Sequence, residues 1–115
     1  MTTAERVAAA RAAERVGEWD AALAQYESAF AALGAGGTAA EAADLFRWIG
    51  SIHRMRGDGE SAQEAYEASL TIAECASLPF QVASAYNCLG IQAQTLGEPD
   101  RAESYYTEGR SYASQ

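Results

Sequence analysis

The chain has 115 residues and a net charge of −8, because 16 acidic residues face only eight basic ones, all of them Arg. Such acidity argues against nucleic acid or an anionic membrane as general partners, since phosphates would be repelled over most of the surface. No apolar run approaches the roughly 18 residues that span a bilayer. The two cysteines lack CxxC spacing, which favours a reducing compartment. We therefore expect one cytoplasmic domain that does not bind membranes.

In chain order, the first half of the sequence predicts three helices. Thr2 and Glu5 form a capping box before a helix over 7–16, which ends near Gly17. A second helix begins at Trp19 and is followed by a glycine-rich linker over 34–37. A second capping box, Thr38 with Glu41, starts a third helix that runs to about residue 56. Helical spacing predicts that the apolar faces of the second and third helices are buried. Their members are Ala22, Leu23, Tyr26, Ala29, Phe30 and Leu33, then Leu45, Phe46, Ile49, Ile52 and His53.

The second half predicts three further helices. A turn over 57–59 precedes a helix over 60–75, and Pro79 and Pro99 each suit the first turn of a helix. Buried positions are expected at Ala62, Tyr66, Leu70, Ile72 or Ala73, then Val82, Tyr86, Leu89, Gly90 and Ala93. The six helices alternate as first and second members of pairs, which we call A and B helices. No stretch shows the alternation typical of a strand.

One pattern recurs three times with a period of 40 residues. Each copy is a glycine, an alanine five residues later and a tyrosine four residues after that. The copies are Gly17, Ala22 and Tyr26; Gly57, Ala62 and Tyr66; and Gly97, Ala102 and Tyr106. A second pattern precedes the last two copies, as Phe46 with Ile49-Gly50 and Tyr86 with Leu89-Gly90. A fixed period of this length indicates a solenoid of stacked helical units.

Together the two patterns resemble the tetratricopeptide repeat (TPR), in a variant with a 40-residue period where 34 is usual. The resemblance implies an all-α, right-handed α-solenoid of three antiparallel helix pairs. The repeats would span about 1–36, 37–76 and 77–115, within a single domain. The opening helix of the first repeat departs from the pattern, with Arg6, Ala9, Ala10 and Ala13 in place of larger or glycine residues.

Residues that could support catalysis are few. A glycine-rich stretch before a helix invites a phosphate-loop interpretation, but the stretch over 34–38 follows a helix and the chain has no Lys, so a linker is favoured. His53 is the only histidine, and it stands where the repeat places a buried aromatic. Cys75 and Cys88 are interpreted as small buried apolar side chains. We therefore predict a protein that is not an enzyme and needs neither cofactor nor metal.

The charges divide unequally between the two sets of helices. The A helices carry six Arg against four acidic residues, whereas the B helices and their turns carry two Arg against twelve. The resemblance places the A helices on the concave surface, so that surface would be the less acidic one. Two alternatives remain open at this point: the A-helix Arg residues are available to a ligand, or they pair with neighbouring acids.

Candidate binding residues lie on one face of the A helices. Arg47, Ser51 and Arg54 are spaced i, i+4, i+7, and the resemblance points them into the concavity. The full set is Arg11, Glu14, Arg47, Trp48, Ser51, Arg54, Asn87, Ile91 and Gln94. Guanidinium groups, amides and an aromatic surface predict an acidic or carboxylate-bearing peptide ligand. The pattern of the repeats that hold chaperone C-termini is not reproduced, because Val7, Trp48, Ser84 and Cys88 stand in or near the corresponding places.

The last helix carries two tyrosines, Tyr105 and Tyr112, that the repeat pattern does not explain. They predict self-association through this helix, or contact with further repeats. The alternative is that the helix end frays, since tyrosine tolerates water. The second candidate function is accordingly a self-associating scaffold, or a segment of a larger TPR-containing regulator.

Overall fold

The structure is a computed structural model that describes residues 1–114 and, at Ala35, the backbone alone. These residues form six α-helices and no β-strand, as predicted. The helices are α1 (Thr3–Arg15), α2 (Trp19–Leu33), α3 (Ala39–Met55), α4 (Gly59–Cys75), α5 (Pro79–Thr95) and α6 (Pro99–Ala113). Each A helix (α1, α3, α5) packs against the B helix that follows it (α2, α4, α6), and consecutive pairs stack. No helix of residues 1–114 is long and apolar enough to cross a membrane. Gln115, the end of the third predicted repeat, lies outside the described residues.

The helix starts follow from local sequence. The Thr2 hydroxyl accepts a hydrogen bond from the backbone N–H of Glu5 at 3.1 Å, and the Glu5 carboxylate accepts one from the N–H of Thr2. Thr38 and Glu41 repeat this reciprocal arrangement at α3. The first helix therefore starts at Thr3 and not at the predicted Val7, because the residue after a capping threonine is already helical. Pro79 and Pro99 are the first residues of α5 and α6.

Glycines reverse the chain between the two helices of each pair. Gly17, Gly57 and Gly97 have φ angles of 75°, 80° and 74°. Other side chains adopt this left-handed conformation only at a cost, so the recurrent glycine makes the turn possible. The connection from α4 to α5 uses a different residue, Ser77, with φ 55°. The short turns hold the helices of each pair side by side.

The A and B helices approach closely where a repeat tyrosine of the B helix packs on a glycine of the A helix. A methyl group added at Gly50 would lie 2.8 Å from a ring carbon of Tyr66, and one at Gly90 would lie 2.5 Å from the ring of Tyr106. In the first pair Ala10, which is fully buried, takes the equivalent position. In the second and third pairs the tyrosine ring therefore fills the space that a side chain at the glycine would occupy.

Most predicted core positions are buried, among them Tyr26, Leu45, Ile52, Tyr66 and Leu89. Phe30 is an exception, since 37% of it stays exposed where the sequence predicted burial. Its ring lies edge-on against Phe46 with centroids 4.8 Å apart, near the end of α2.

Candidate functional site

Two guanidinium groups on the A helices lie near the ring of Trp48. The Arg11 guanidinium carbon is 4.4 Å from the centre of the indole ring, and that of Arg47 is 5.8 Å away. Both distances fall within the range of cation–π attraction. The Arg47 side chain also donates to the Asp44 carboxylate at 3.0 Å. We call Arg11, Asp44, Arg47 and Trp48 the Trp48 cluster; it joins α1 to α3 through an aromatic ring that a cation from each helix approaches.

Some Arg residues of the A helices pair with neighbouring acids, and others remain available to a ligand. Arg47 is paired with Asp44 and its side chain is only 14% exposed. Arg56 pairs with Asp20 of α2 at 3.1 Å. Arg11 is exposed and makes no ion pair within residues 1–114. Of the two cations in the Trp48 cluster, Arg11 is therefore the one that a ligand can reach without displacing an acid.

Two clefts adjoin the Trp48 cluster. The smaller, of about 280 Å³, lies between α1 and α3 and is lined by Thr3, Ala4, Val7, Glu41, Asp44, Leu45 and Trp48. The larger, of about 660 Å³, extends over α5 to the end of α6 and is lined by Arg47, Pro79, Phe80, Ala83, Ser84, Asn87, Cys88, Tyr112 and Ala113. Both have largely apolar walls with a few polar groups, the usual composition of a binding cleft.

Three of the predicted groove residues form hydrogen bonds with the hydroxyl groups of the repeat tyrosines. Glu14, Arg54 and Gln94 are 40 residues apart, and each is hydrogen-bonded to the tyrosine 12 residues later. These hydrogen bonds recur every 40 residues because the same crossing of A and B helices recurs in each pair. We call these three pairs the tyrosine clamps.

The chemistry of the clamps changes from pair to pair. The Tyr26 hydroxyl donates to the Glu14 carboxylate, and the Tyr106 hydroxyl donates to the Gln94 amide oxygen at 2.8 Å. In the middle pair the direction is reversed, since Arg54 Nε donates to the Tyr66 hydroxyl at 3.3 Å. Burial, together with the hydrogen bond to Glu14, raises the pKa of Tyr26 well above its ordinary value. Tyr26 is therefore a neutral donor at physiological pH.

Ser51 belongs to the middle clamp as well. Its hydroxyl lies 2.9 Å from the Tyr66 hydroxyl and 3.2 Å from the Arg47 carbonyl oxygen. The other two predicted residues are on α5, where Asn87 is exposed at the larger cleft and Ile91 is partly buried. The structure thus brings Arg11, Arg47 and Trp48 together, while Ser51 takes part in an internal hydrogen-bond network.

Two residues near the clefts were missed by sequence reasoning. Asp44 could have been found, because it stands three residues before Arg47 on one helix, a spacing that favours an ion pair. Phe80 is 72% exposed and lines the larger cleft. The period gave no signal for Phe80, since the residue 40 positions earlier is Ala40.

Cys88 lines the larger cleft as an apolar group. Burial raises the pKa of its thiol, and the nearby guanidinium groups of Arg47 and Arg54 oppose this rise only in part. A thiol with a raised pKa stays protonated and unreactive at neutral pH. This agrees with its interpretation as a small apolar side chain. For Cys75 the predicted burial is wrong, because it is exposed in the last turn of α4.

The two tyrosines predicted for self-association have partners within the chain. The Tyr112 ring is stacked on Tyr86 with centroids 5.9 Å apart, and the Tyr105 ring lies 6.3 Å from Tyr86. Arg101 lies over Tyr105 and donates to its hydroxyl at 3.2 Å. Tyr112 therefore needs no outside partner to account for its position, and self-association stays a prediction without this support.

The glycine-rich stretch forms a short 3₁₀ turn, Gly34–Gly36, before α3. At the start of α3, the backbone N–H of Thr38 and that of Glu41 are taken by the capping box. Those amides are not available to a phosphate, which favours the linker interpretation. Within residues 1–114, no group of three or more His, Cys, Asp or Glu side chains could hold a metal ion.

The six helices and their pairing form a helical-repeat fold that fits a TPR-like repeat. Among solved structures, the chain is similar to the crystal structure of MamA, a TPR-repeat protein, with a TM-score of 0.76 and 21% sequence identity. The match covers 98% of this chain and 59% of the MamA chain, so our chain spans little more than half of that protein. Comparisons with protein-family models and with curated protein sequences gave no match. At this identity the likeness establishes the fold, and it confirms the predicted repeat architecture.

Proposed function

We propose that the protein is a non-catalytic interaction module that binds an acidic or carboxylate-bearing peptide along its A helices. The observation that carries this proposal is the Trp48 cluster: an aromatic surface with two cations near its ring, adjoining two clefts with largely apolar walls. The TPR-type fold supports a protein partner, since such repeats present extended concave surfaces.

Each part of the cluster has a role in this proposal. The smaller cleft, with Val7, Leu45 and Trp48 in its wall, takes one apolar anchor of the peptide. Arg11 pairs with a peptide carboxylate, while Arg47 has further N–H donors beyond the one bound to Asp44. An exposed pair contributes only about 0.2–1 kcal/mol, whereas a partly desolvated, bidentate one contributes about 1.5–3 kcal/mol. The anchor and the carboxylate are therefore both needed for useful affinity.

The test uses synthetic 12-residue peptides with one central Trp or Leu. In one set the residues on either side of this anchor include Glu, and in the matched set each Glu is replaced by its neutral isostere Gln. We expect the Glu peptides to bind the wild-type protein better, and the difference to disappear in an Arg11→Gln, Arg47→Gln double variant. Arg54 is left unchanged, because its hydrogen bond to Tyr66 means that Arg54→Ala would also lower stability, by about 0.5–1.5 kcal/mol.

The matched control is Arg15→Gln with Arg101→Gln, which removes the same charge from exposed positions outside the Trp48 cluster and both clefts. If the control loses as much affinity as the Arg11 and Arg47 variant, the effect is one of net charge and the proposed site is wrong. The same conclusion follows if the Glu and Gln peptides bind equally well, or if added salt leaves the binding of the Glu peptides unchanged.

A further inference from the structure

Each helix pair forms a groove between its A and B helices, and the first two grooves hold a helix. Helix α3 lies on the first groove, where it packs against α2 and shares one core cluster with α1 and α2, and α5 lies on the second groove, against α3 and α4. The third, which we call the end groove, is formed by α5 and α6. It has a volume of about 260 Å³ and is lined by Ala83, Asn87, Tyr106, Gly109, Arg110 and Ala113. Tyr26 and Tyr66 are fully buried, whereas Tyr106, the equivalent residue in the end groove, is partly exposed.

The filled grooves show what such a groove binds. In the first, Phe30 contacts Phe46 of the incoming helix with ring centroids 4.8 Å apart. In the second, Leu70 packs in one cluster with Tyr86, the residue 40 positions after Phe46. Each of the two grooves therefore holds an amphipathic helix. Its aromatic side chain, Phe46 or Tyr86, packs near the apolar residue of the B helix, Phe30 or Leu70.

The end groove has the same form but a different charge. Arg110 takes the position of Phe30 and Leu70; it is exposed, and its Nη2 donates to the Thr107 hydroxyl at 3.3 Å. Within residues 1–114 it makes no ion pair. A helix lying in this groove would meet a guanidinium group where the other two grooves offer an apolar side chain. A carboxylate on that helix would be the complementary group.

A second copy of this chain does not supply that carboxylate. If α1 of another copy lay on the end groove as α3 and α5 lie on theirs, the residue equivalent to Phe46 and Tyr86 would be Arg6. Arg6 would then face Arg110, and like charges at this distance repel. The repeat geometry thus disfavours head-to-tail stacking of copies.

We propose that the end groove is a second docking surface, which binds an amphipathic helix from another protein with an Asp or Glu side chain opposite Arg110. The site is separate from the Trp48 cluster, which belongs to α1 and α3, although the end groove adjoins the larger cleft at Ala83, Asn87 and Ala113. The proposal rests on two internal examples of the same groove with a helix in place, and on the cation of the third groove, which has no ion pair among residues 1–114.

The test uses a helix already known to fit this kind of groove. The probe is a 17-residue peptide with the sequence of residues 79–95, in which Cys88 is replaced by Ala and Tyr86 by Glu. A matched peptide carries Arg in place of Tyr86. Each is titrated into isotopically labelled protein while the backbone amide signals of Gly109 and its neighbours are followed by NMR. We expect the Glu peptide to shift these signals and to bind about two- to fivefold more tightly than the Arg peptide, the factor for one exposed charge pair.

Protein variants decide whether Arg110 is the cause. Arg110→Glu changes an exposed side chain, so the fold is expected to persist, and the preference between the two peptides should invert. Arg101→Glu, which makes the same charge change elsewhere on α6, should leave the preference unchanged. The proposal is overturned if neither peptide shifts the Gly109 signal up to a concentration of about 1 mM, if both bind equally, or if Arg110→Glu has no effect. Shifts at Gly109 on raising the protein concentration alone would identify a second copy as the occupant and would overturn it too.

Discussion

Tyr66 and Tyr106 occupy the same position in consecutive repeats but differ in their surroundings. Each ring covers an A-helix glycine, Gly50 or Gly90, and each hydroxyl is hydrogen-bonded to an A-helix residue 12 positions earlier. Tyr66 is fully buried because α5 covers it, whereas Tyr106 is partly exposed in the end groove. The local sequence therefore determines the crossing within a pair, and the next helix determines how completely that crossing is enclosed.

The largest difference is expected when the rings are removed. Tyr66→Ala should lower the free energy of unfolding by about 3–5 kcal/mol, because it leaves a cavity closed on all sides. Tyr106→Ala should cost roughly half of that or less, since water and neighbouring side chains can fill the open space. Urea denaturation of the two variants measures both values. Equal losses would show that the covering helix does not determine the energy of the crossing.

A second comparison adds a methyl group under each ring. Gly50→Ala should destabilise the protein by about 1–2 kcal/mol, as overpacking outweighs the helix propensity gained. Gly90→Ala should be closer to neutral, because the Tyr106 ring can move into the end groove. The distances alone predict the opposite order, since the added methyl would lie closer to Tyr106, at 2.5 Å, than to Tyr66, at 2.8 Å. Melting temperatures of the two variants distinguish enclosure from local distance as the cause.

The smallest effect concerns Tyr26, the equivalent residue of the first repeat. Burial and the Glu14 hydrogen bond raise its pKa in the folded state. Its stabilising contribution is therefore complete below the pKa of an unfolded tyrosine, about 10, and is lost as the pH rises through the higher folded value. The stability difference between the wild type and Tyr26→Phe should shrink above about pH 10. A difference that stays constant as the pH rises would show that the folded pKa is not raised.

Much of the fold could be predicted because short local sequence signals mark where the helices begin and end. Capping boxes at Thr2 and Thr38, turn glycines and prolines in first turns mark most of the helix boundaries. The resemblance then supplies the pairing, which the structure confirms. An individual exposure such as that of Phe30 was not predictable, because it depends on how far the next helix extends over it.

The candidate site was less predictable from the sequence. Helical spacing places Arg47, Ser51 and Arg54 on one face, but it does not say which neighbour each side chain reaches. In the structure Arg47 pairs with Asp44, while Ser51 and Arg54 both contact the Tyr66 hydroxyl. The Arg47–Asp44 pair follows from the spacing of one helix. The contacts with Tyr66 depend on the crossing of two helices and on rotamers, which that spacing does not encode.

The most direct test of enclosure by the next helix is the rate at which each repeat tyrosine is acetylated by N-acetylimidazole, mapped by mass spectrometry in the native protein. Our account predicts that Tyr106 reacts readily, while Tyr26 and Tyr66 react only after unfolding in urea. Acetylation of Tyr66 at the same rate as Tyr106, or protection of Tyr106 equal to that of Tyr66, would contradict it.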